Sequence, residues 1–167
     1  GTSSLANPIH VYAEDGIYTV SLTVTNECGS DTYTQIIEII TPPTSFFSSD
    51  VVEGCEPFEV EFINLSSENA EFYEWSFPGG SPASSTAFEP TILYEIPGTY
   101  NVSLTVCNEA GEDIQTITNY ITVLPAPNAE FSYTTNGLQV NFSSTGSIGD
   151  TYLWNFGDGQ TSTNPNP

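Results

Sequence analysis

The sequence contains neither lysine nor arginine, and its 21 acidic residues with a single histidine give a formal charge of −21 at pH 7. Binding to nucleic acid or to an anionic membrane surface depends on basic side chains that replace the counterions of phosphate groups, and this chain has none. Internal ion pairs are also excluded, apart from those made by His10 or the amino terminus. The fold must therefore be stabilised by apolar burial and backbone hydrogen bonds, for which 38% apolar residues are sufficient.

Long apolar runs are also missing, since none approaches the roughly 18 residues needed to span a bilayer. We therefore expect no membrane insertion of these residues. The excess of acids is most simply a solvated surface that keeps the protein soluble. Cation binding, adaptation to saline water and resistance to proteases that cut after Lys or Arg are the alternatives. No EF-hand pattern is present, so the calcium candidates are only acids near domain ends, Asp50, Glu53 and Glu56. No other cofactor is expected.

What the sequence does contain is a tandem repeat. The segment Tyr18-Thr-Val-Ser-Leu-Thr-Val-Thr-Asn26 returns 82 residues later as Tyr100-Asn-Val-Ser-Leu-Thr-Val-Cys-Asn108. A second segment, Trp75-Ser-Phe-Pro-Gly-Gly80, is matched 79 residues later by Trp154-Asn-Phe-Gly-Asp-Gly159. A period near eighty residues indicates an array of small domains.

Strand patterns dominate the chain. From Tyr100 to Val106, apolar residues alternate with polar ones, the period of two that a strand with one buried face shows. Residues 58–62 and 138–142 alternate in the same way. Turn residues such as Asp15-Gly16 and Asn136-Gly137 separate the strands, and no amphipathic helix is found. Further strands are predicted at 32–40, 72–77, 114–123, 129–133 and 152–156. Short strands at this spacing predict an all-β chain of sandwich domains.

Proline-containing linkers divide the chain. Thr41-Pro-Pro43 and Leu124-Pro-Ala-Pro127 lie where one repeat gives way to the next, and proline stiffens such connections. The predicted domains are residues 1–43, the second half of a sandwich, residues 44–126, a complete one, and residues 127–167, the first half of a third. Residues 1–8 and 160–167 match at four of eight positions, as expected of a window on a longer repeat protein.

Three segments carry a resemblance to a known family: Trp154-Asn-Phe-Gly-Asp-Gly159, Asn7-Pro-Ile-His-Val-Tyr12 and Gly16-Ile-Tyr-Thr-Val-Ser-Leu-Thr-Val24. Together they resemble the PKD (polycystic kidney disease) domain, whose signature is a Trp-Asp-Phe-Gly-Asp-Gly run, a Pro-x-His-x-Tyr segment and a Gly-x-Tyr-x-Val-x-Leu-x-Val strand. The chain looks most like copies in secreted bacterial surface proteins of the Bacteroidetes type. The resemblance implies tandem immunoglobulin-like β-sandwiches outside the cell, which act as spacers and as protein or carbohydrate contacts rather than as catalysts.

The aromatic residues of these motifs are expected to form the structural core. The expected set comprises the two tryptophans, the phenylalanine two residues after each, and two tyrosines: Trp75, Phe77, Trp154, Phe156, Tyr18 and Tyr100. Each tyrosine follows the turn that opens the long alternating strand, where the hydroxyl of a tyrosine corner bonds back to the preceding loop.

No enzyme activity is expected from these residues. A nucleophilic triad needs a base, and the only histidine, His10, is replaced by Ile92 in the next repeat. The acids fall at turns or on the polar faces of predicted strands, which does not favour a pair of catalytic carboxylates.

The three cysteines, Cys28, Cys55 and Cys107, lie at different places in the repeat and lack the spacing of a zinc site. Outside the cell they should be oxidised. A bond between Cys55 and Cys107 is disfavoured, because a seven-residue strand separates the poles of a sandwich by roughly 20 Å or more, too far for a disulfide. We expect instead a bond across a domain junction, from a Cys55-type loop to the Cys28-type loop of the next domain. Cys107 is expected to be free or to pair between chains.

The leading functional expectation is a structural and adhesive extracellular module at the cell surface, part of a long adhesin or filament of tandem domains. Its partners would be neighbouring repeats and other copies of itself, with a polysaccharide or a cell-surface protein as further candidates. The alternative is a calcium- or polysaccharide-binding accessory module of a secreted enzyme.

Overall fold

The computed structural model describes residues 1–167 and consists of strands joined by turns and loops. The strands in chain order are β1 (Gly16–Asn26), β2 (Gly29–Ile39), β3 (Phe47–Ser49), β4 (Glu53–Cys55), β5 (Phe58–Asn64), β6 (Phe72–Ser76), β7 (Ser84–Ser85), β8 (Thr91–Tyr94), β9 (Gly98–Asn108), β10 (Gly111–Leu124), β11 (Ser132–Asn136), β12 (Gln139–Ser143), β13 (Trp154–Asn155) and β14 (Thr161–Ser162).

The centre of the chain folds as a two-sheet sandwich. One sheet has five strands in the order β4-β10-β9-β6-β7, and the other has three in the order β3-β5-β8. Neighbouring strands are antiparallel except β4, which runs parallel to the end of β10 and places Cys55 opposite Leu124. The all-β, immunoglobulin-like sandwich predicted from the sequence is confirmed.

The core of this sandwich follows from strand alternation. In β9, Val102, Leu104 and Val106 are fully buried, whereas the residues between them are not. In β5, Val60 and Phe62 face them from the other sheet and are equally buried. Full burial of one such side chain stabilises the fold by about 1.5 to 3 kcal/mol. The complete core comprises Phe47, Val60, Phe62, Ala70, Trp75, Phe77, Ile92, Tyr94, Val102, Leu104, Val106, Ile121 and Val123.

Trp75 lies at the centre of the core. Its ring stacks on Phe77 at 5.6 Å between centroids and meets Phe47 edge-on at 5.3 Å, geometries that suit aromatic quadrupoles. Its indole Nε1 donates a hydrogen bond to the Ala87 carbonyl at 2.9 Å, so burying the ring leaves no polar atom without a partner.

A tyrosine is bonded to the loop before each long hairpin. Tyr100 Oη donates to the Ile96 carbonyl at 2.6 Å, and Tyr18 Oη donates to the Glu14 carbonyl at 2.8 Å. This is the arrangement of a tyrosine corner. Gly79 has φ of +82°, and a Cβ there would lie 2.2 Å from Tyr100 Cε1, so the turn can cross the tyrosine ring only because residue 79 is glycine.

The flanking segments contain strands that match strands of the central sandwich in the sequence repeat. β1 and β2 form a separate antiparallel hairpin that extends from the Gly16–Ile39 pair to the Asn26–Gly29 pair. β1 has the same length as β9 and lies 82 residues before it. β11 with β12, and β13 with β14, form two further antiparallel pairs, in which β12 and β13 take the places of β5 and β6.

Two predicted strands differ from the observed ones. The strand expected at 129–133 is β11 at Ser132–Asn136, because the turn at Gly137, with φ of +65°, closes its hairpin with β12. The strand expected at 152–156 is reduced to the two residues of β13, because no long strand lies beside it as β9 lies beside β6. The structure has no helix long and apolar enough to cross a bilayer.

Candidate assembly site: the domain junctions and two open faces

The junction between the β1–β2 hairpin and the central sandwich is built on one carbonyl group. The Thr41 carbonyl accepts hydrogen bonds from Asn69 Nδ2 at 2.9 Å and from Asn108 Nδ2 at 2.8 Å. On the hairpin side, Thr41 Oγ1 donates to Asp15 Oδ2 at 3.0 Å. Because Asn108 ends β9, these bonds fasten the hairpin to the pole of the sandwich where β9 turns into β10.

Sequence reasoning did not identify these junction residues. The available signal was the recurrence of Asn26 as Asn108 at the end of the repeated segment. A local role explains that recurrence equally well, since Asn26 Oδ1 accepts from the Cys28 amide and Asn108 Oδ1 from the Ala110 amide. Only the tertiary contact shows that the side-chain nitrogen of Asn108, Nδ2, donates a hydrogen bond to a neighbouring segment.

The second junction lies at the opposite pole. The Glu56 amide donates to the Leu124 carbonyl at 3.0 Å, and the Ala126 amide donates to Glu56 Oε1 at 3.2 Å. The start of β9 at Gly98 pairs with Val123 beside this junction, and Asn108 marks the first junction. Ten residue steps along β9 (108 − 98) therefore separate the junctions, which is about 33 Å at the usual strand rise.

The hairpin β1–β2 has an open apolar face, here called the hairpin face, formed by Val20, Leu22 and Val24. These side chains are 42%, 63% and 57% exposed. The identical residue types 82 positions later in β9 are all fully buried. The hairpin therefore presents to solvent the surface that its counterpart packs against the second sheet.

The segment 127–167 has an open face as well, here called the aromatic face, which comprises Phe131, Val140, Phe142, Trp154 and Phe156. Phe131 meets Trp154 edge-on with ring centroids 5.3 Å apart, the same distance at which Phe47 meets Trp75 in the complete sandwich. Phe142 lies 5.4 Å from Trp154, as Phe62 lies 5.7 Å from Trp75. Half of the aromatic core is thus already assembled in this segment.

The aromatic face is not covered by a further strand. Phe131 is 59% exposed and Phe156 is 36% exposed. Trp154 is only partly buried, and its Nε1 is shielded from solvent without an acceptor. The reason is that no strand equivalent to β9 packs over residues 127–167.

The three calcium candidates take part in backbone bonding. Asp50 Oδ1 accepts from the amides of Val51 and Glu61 at 2.8 and 3.0 Å. Glu56 Oε1 accepts from Ala126 at the second junction, and exposed Glu53 opens β4 opposite Thr122. The structure brings no three His, Cys, Asp or Glu side chains together in a way that could hold a metal ion.

The cysteines lie far apart. Cys28 is exposed in the turn of the β1–β2 hairpin, and Cys55 is exposed at the second junction. Cys107 is half-buried near the end of β9, opposite Glu112 and Phe72. Cys55 and Cys107 therefore lie at opposite poles of one sandwich, and a disulfide between them would need Cα atoms within about 7 Å of each other.

Comparison with known proteins places this arrangement in a family. The family model described as the PKD domain matches residues 1–41 and 41–123 as two adjacent segments. A solution NMR structure of a protein from Methanosarcina mazei is 31% identical, with 72% of this chain and 84% of that chain covered and a TM-score of 0.37. The two family matches together span 123 of the 167 residues and begin anew at the Thr41 junction. On the strength of that match, this chain belongs to the PKD domain family.

Proposed function

We propose that this chain is a structural segment of a long extracellular adhesin or filament made of tandem PKD domains. PKD domains are typically extracellular and generally non-catalytic, and their repeats typically interact with neighbouring repeats. The observation that carries the proposal is the first junction, where two asparagine side chains from the sandwich bond the linker carbonyl of Thr41.

Such a junction resists bending. The backbone of a flexible linker would be hydrogen-bonded to water. Here the Thr41 carbonyl accepts a hydrogen bond from the sandwich, and the Thr41 hydroxyl donates one on the hairpin side. Pro42 and Pro43 follow directly and restrict the backbone further. Pro42 also packs beside Gly111, where an added Cβ would lie 3.3 Å from its Cγ. Consecutive domains joined in this way form a stiff rod, which suits a spacer or filament.

The high negative charge is compatible with this role. The 21 acidic residues among 167 keep the exposed faces of a rod hydrated and oppose lateral aggregation. Salt near physiological ionic strength screens the repulsion between exposed charges that lie more than roughly 8 Å apart.

The test is the rigidity of the first junction. NMR relaxation of backbone amides should show residues 16–39 tumbling with the rotational correlation time of the central sandwich. The double variant Asn69→Ala, Asn108→Ala should release the hairpin, whereas Asn101→Ala, a change of the same kind elsewhere on β9, should not. Independent tumbling of the hairpin in the unchanged chain would contradict the proposal.

A second measurement addresses the calcium- or polysaccharide-binding role. Electron microscopy of native extracellular material with and without a calcium chelator should show long uniform filaments that survive chelation. Filaments that fall apart in chelator, or isolated short rods that bind polysaccharide, would favour the accessory binding module instead.

A further inference from the structure

We propose that the central sandwich bears tension along the chain, and that side chains of β10 hold the first segment of the sandwich in place against that load. This segment, residues 45–56, is here called the entering segment. The inference rests on the proposed structural function and names the residues that would carry force within it. The load path runs from Thr44 to Leu124, and the chain continues beyond both residues.

The entering segment and β10 run in the same direction. β4, which is part of the entering segment, pairs parallel to the last residues of β10. The chain enters the sandwich beside Asp113, near the Asn108 pole. It leaves after Leu124 at the Gly98 pole. The two elements that receive the load are therefore neighbours over the length of the sandwich.

Hydrogen bonds join these two elements along their length, and the residue numbers of both partners rise together. The bonded residues, with the entering segment first, are Ser45 with Asp113, Phe47 with Gln115, Ser49 with Tyr120, Val52 with Thr122 and Glu56 with Leu124. In the first three pairs the group on β10 is a side chain. The reason is that the backbone of β3 is paired with β5 in the other sheet, so β10 cannot add a regular ladder there.

Ser45 is the strongest attachment point at the entry. Its amide donates to Asp113 Oδ2 at 2.7 Å, and its Oγ donates to the Leu104 carbonyl at 2.8 Å. A hydrogen bond to a carboxylate is stronger than one between neutral groups. Because Ser45 is only 6% exposed, its polar groups would lose these partners without gaining water until the segment has moved away.

A bulge in β10 places the third side chain. The pairing of β10 with β9 shifts between Ile117 and Ile121, and a bulge of this kind bends a strand and redirects its side chains. Tyr120 lies within it, and its Oη is hydrogen-bonded to Ser49 Oγ at 3.1 Å. The Tyr120 ring also meets Phe47 edge-on with centroids 5.5 Å apart. The bulge thus connects the side-chain bonds at the entry to the backbone ladder of β4.

Tension loads these bonds together. A pull on Thr44 draws the entering segment toward the Asn108 pole, and a pull on Leu124 draws β10 toward the Gly98 pole. Because the two elements are parallel and the pull acts along both, all the bonds between them are sheared at once. A pull across the sheet would instead open bonds one after another from an edge strand. Forced unfolding is governed by the unfolding rate, so we expect the shear geometry to slow unfolding under load.

The first experiment compares two pulling directions in a single-molecule force clamp. The full chain carries Cys28→Ser, Cys55→Ser and Cys107→Ser so that added cysteines are unique. Handles on the two chain ends load the sandwich along β10, and its unfolding should lengthen the chain by about 230 to 260 Å, from about 80 released residues less the roughly 33 Å already spanned.

The second direction uses Glu53→Cys and Ser84→Cys, which place handles on the two exposed edge strands of the five-stranded sheet, β4 and β7. At equal force, unfolding in this direction should be at least about tenfold faster than under end-to-end load. Equal rates in the two directions would overturn the proposed load path.

The side-chain contribution is tested under end-to-end load. Asp113→Ala and Gln115→Ala each remove one acceptor and should each raise the unfolding rate at constant force by about tenfold. Glu112→Ala and Thr116→Ala are the matched controls, because these exposed side chains point to the other face of β10 and should leave the rate unchanged. Acceleration no greater than that of the controls would refute the role of the side chains. Asp113→Asn retains an acceptor oxygen and should restore much of the resistance, and it serves as the test if Asp113→Ala does not fold.

A pair of tyrosines separates load bearing from general stability. Tyr120→Phe removes a hydroxyl bonded to the entering segment, whereas Tyr73→Phe removes one that donates to the Ala70 carbonyl at 2.9 Å, outside the load path. Both variants should lose similar stability in denaturant, but only Tyr120→Phe should speed unfolding under end-to-end load. Equal acceleration by both would show a general loss of stability and overturn the proposal.

These results are distinguishable from failure of the proposed function. A rigid Thr41 junction with equal unfolding rates in both pulling directions would refute the load path alone. A mobile junction would refute the proposed function, whereas the comparison of the two directions would still decide the load path within the sandwich.

Discussion

Two neighbouring tyrosines in the central sandwich should respond to the same mutation with opposite sign. Tyr94 and Tyr100 lie with their ring centroids 4.8 Å apart. The hydroxyl of Tyr94 is fully buried and has no hydrogen-bond partner, whereas the hydroxyl of Tyr100 donates to the Ile96 carbonyl at 2.6 Å. Replacement by phenylalanine removes one oxygen in each case and keeps the ring.

The magnitudes follow from what each hydroxyl does. A buried polar group without a partner costs about 1 to 3 kcal/mol, so Tyr94→Phe should raise the free energy of unfolding by about that amount. A satisfied hydrogen bond contributes about 0.5 to 1.5 kcal/mol, so Tyr100→Phe should lower it. For a domain of this size each kcal/mol corresponds to a shift of about 4 to 8 °C in melting temperature. Denaturant unfolding followed by tryptophan fluorescence measures both variants.

The two variants also differ in their pH dependence. Burial, with a smaller contribution from the nearby Tyr100 charge, raises the pKa of Tyr94 to about 12 from an ordinary value of 10. The unfolded chain therefore loses this proton first, and the stability is fully present below pH 10 and falls as the pH rises through about 12. At about 1.4 kcal/mol per pKa unit, the loss specific to Tyr94 is about 2 to 3 kcal/mol.

Tyr94→Phe should remove this part of the alkaline loss, and Tyr100→Phe should retain most of it. The reasoning would be refuted if Tyr94→Phe destabilised the sandwich at neutral pH, because that result would mean that the buried hydroxyl has a partner. Equal slopes of stability against pH between 10 and 12 in the unchanged chain and Tyr94→Phe would refute the raised pKa.

Four further substitutions probe packing, a turn and the junction. Leu104→Ala should lower the free energy of unfolding by about 2 to 5 kcal/mol, as for a fully buried leucine. Leu22 is 63% exposed, so Leu22→Ala should lower it by under about 0.5 kcal/mol at concentrations where the chain is monomeric. Denaturant titration measures both variants, and equal losses of stability would contradict this prediction. Gly79→Ala should destabilise by more than about 1 kcal/mol, because φ is +82° and the new Cβ would collide with Tyr100, so an unchanged melting temperature would count against the turn geometry. Asn108→Ala should speed hydrogen exchange of the backbone amides at the first junction, because the Thr41 carbonyl loses one of its hydrogen-bond donors. Unchanged exchange of these amides would mean that Asn69 and Pro42 alone hold the junction together.

Much of the fold was readable from local patterns. Alternation between Tyr100 and Val106 identified a strand and its buried face, because the side-chain direction in a strand depends only on the parity of the residue. The turn residues before Tyr18 and Tyr100 predicted both tyrosine corners. This feature is also local in sequence, because the carbonyl that accepts the tyrosine hydrogen bond lies four residues earlier. The exclusion of nucleic-acid binding followed from the composition alone.

Other features were decided only by tertiary structure. Trp75 and Trp154 stand in almost the same local sequence, yet Trp75 is fully buried with a bonded indole and Trp154 is partly open with an unbonded one. Val102 and Val20 differ in the same way, at 0% and 42% exposure. The junction asparagines were likewise not visible in the repeat. The sequence by itself determined which faces are apolar and how they alternate. Which of those faces are covered was decided by the tertiary structure, because burial depends on what another part of the chain, or another copy, packs against them.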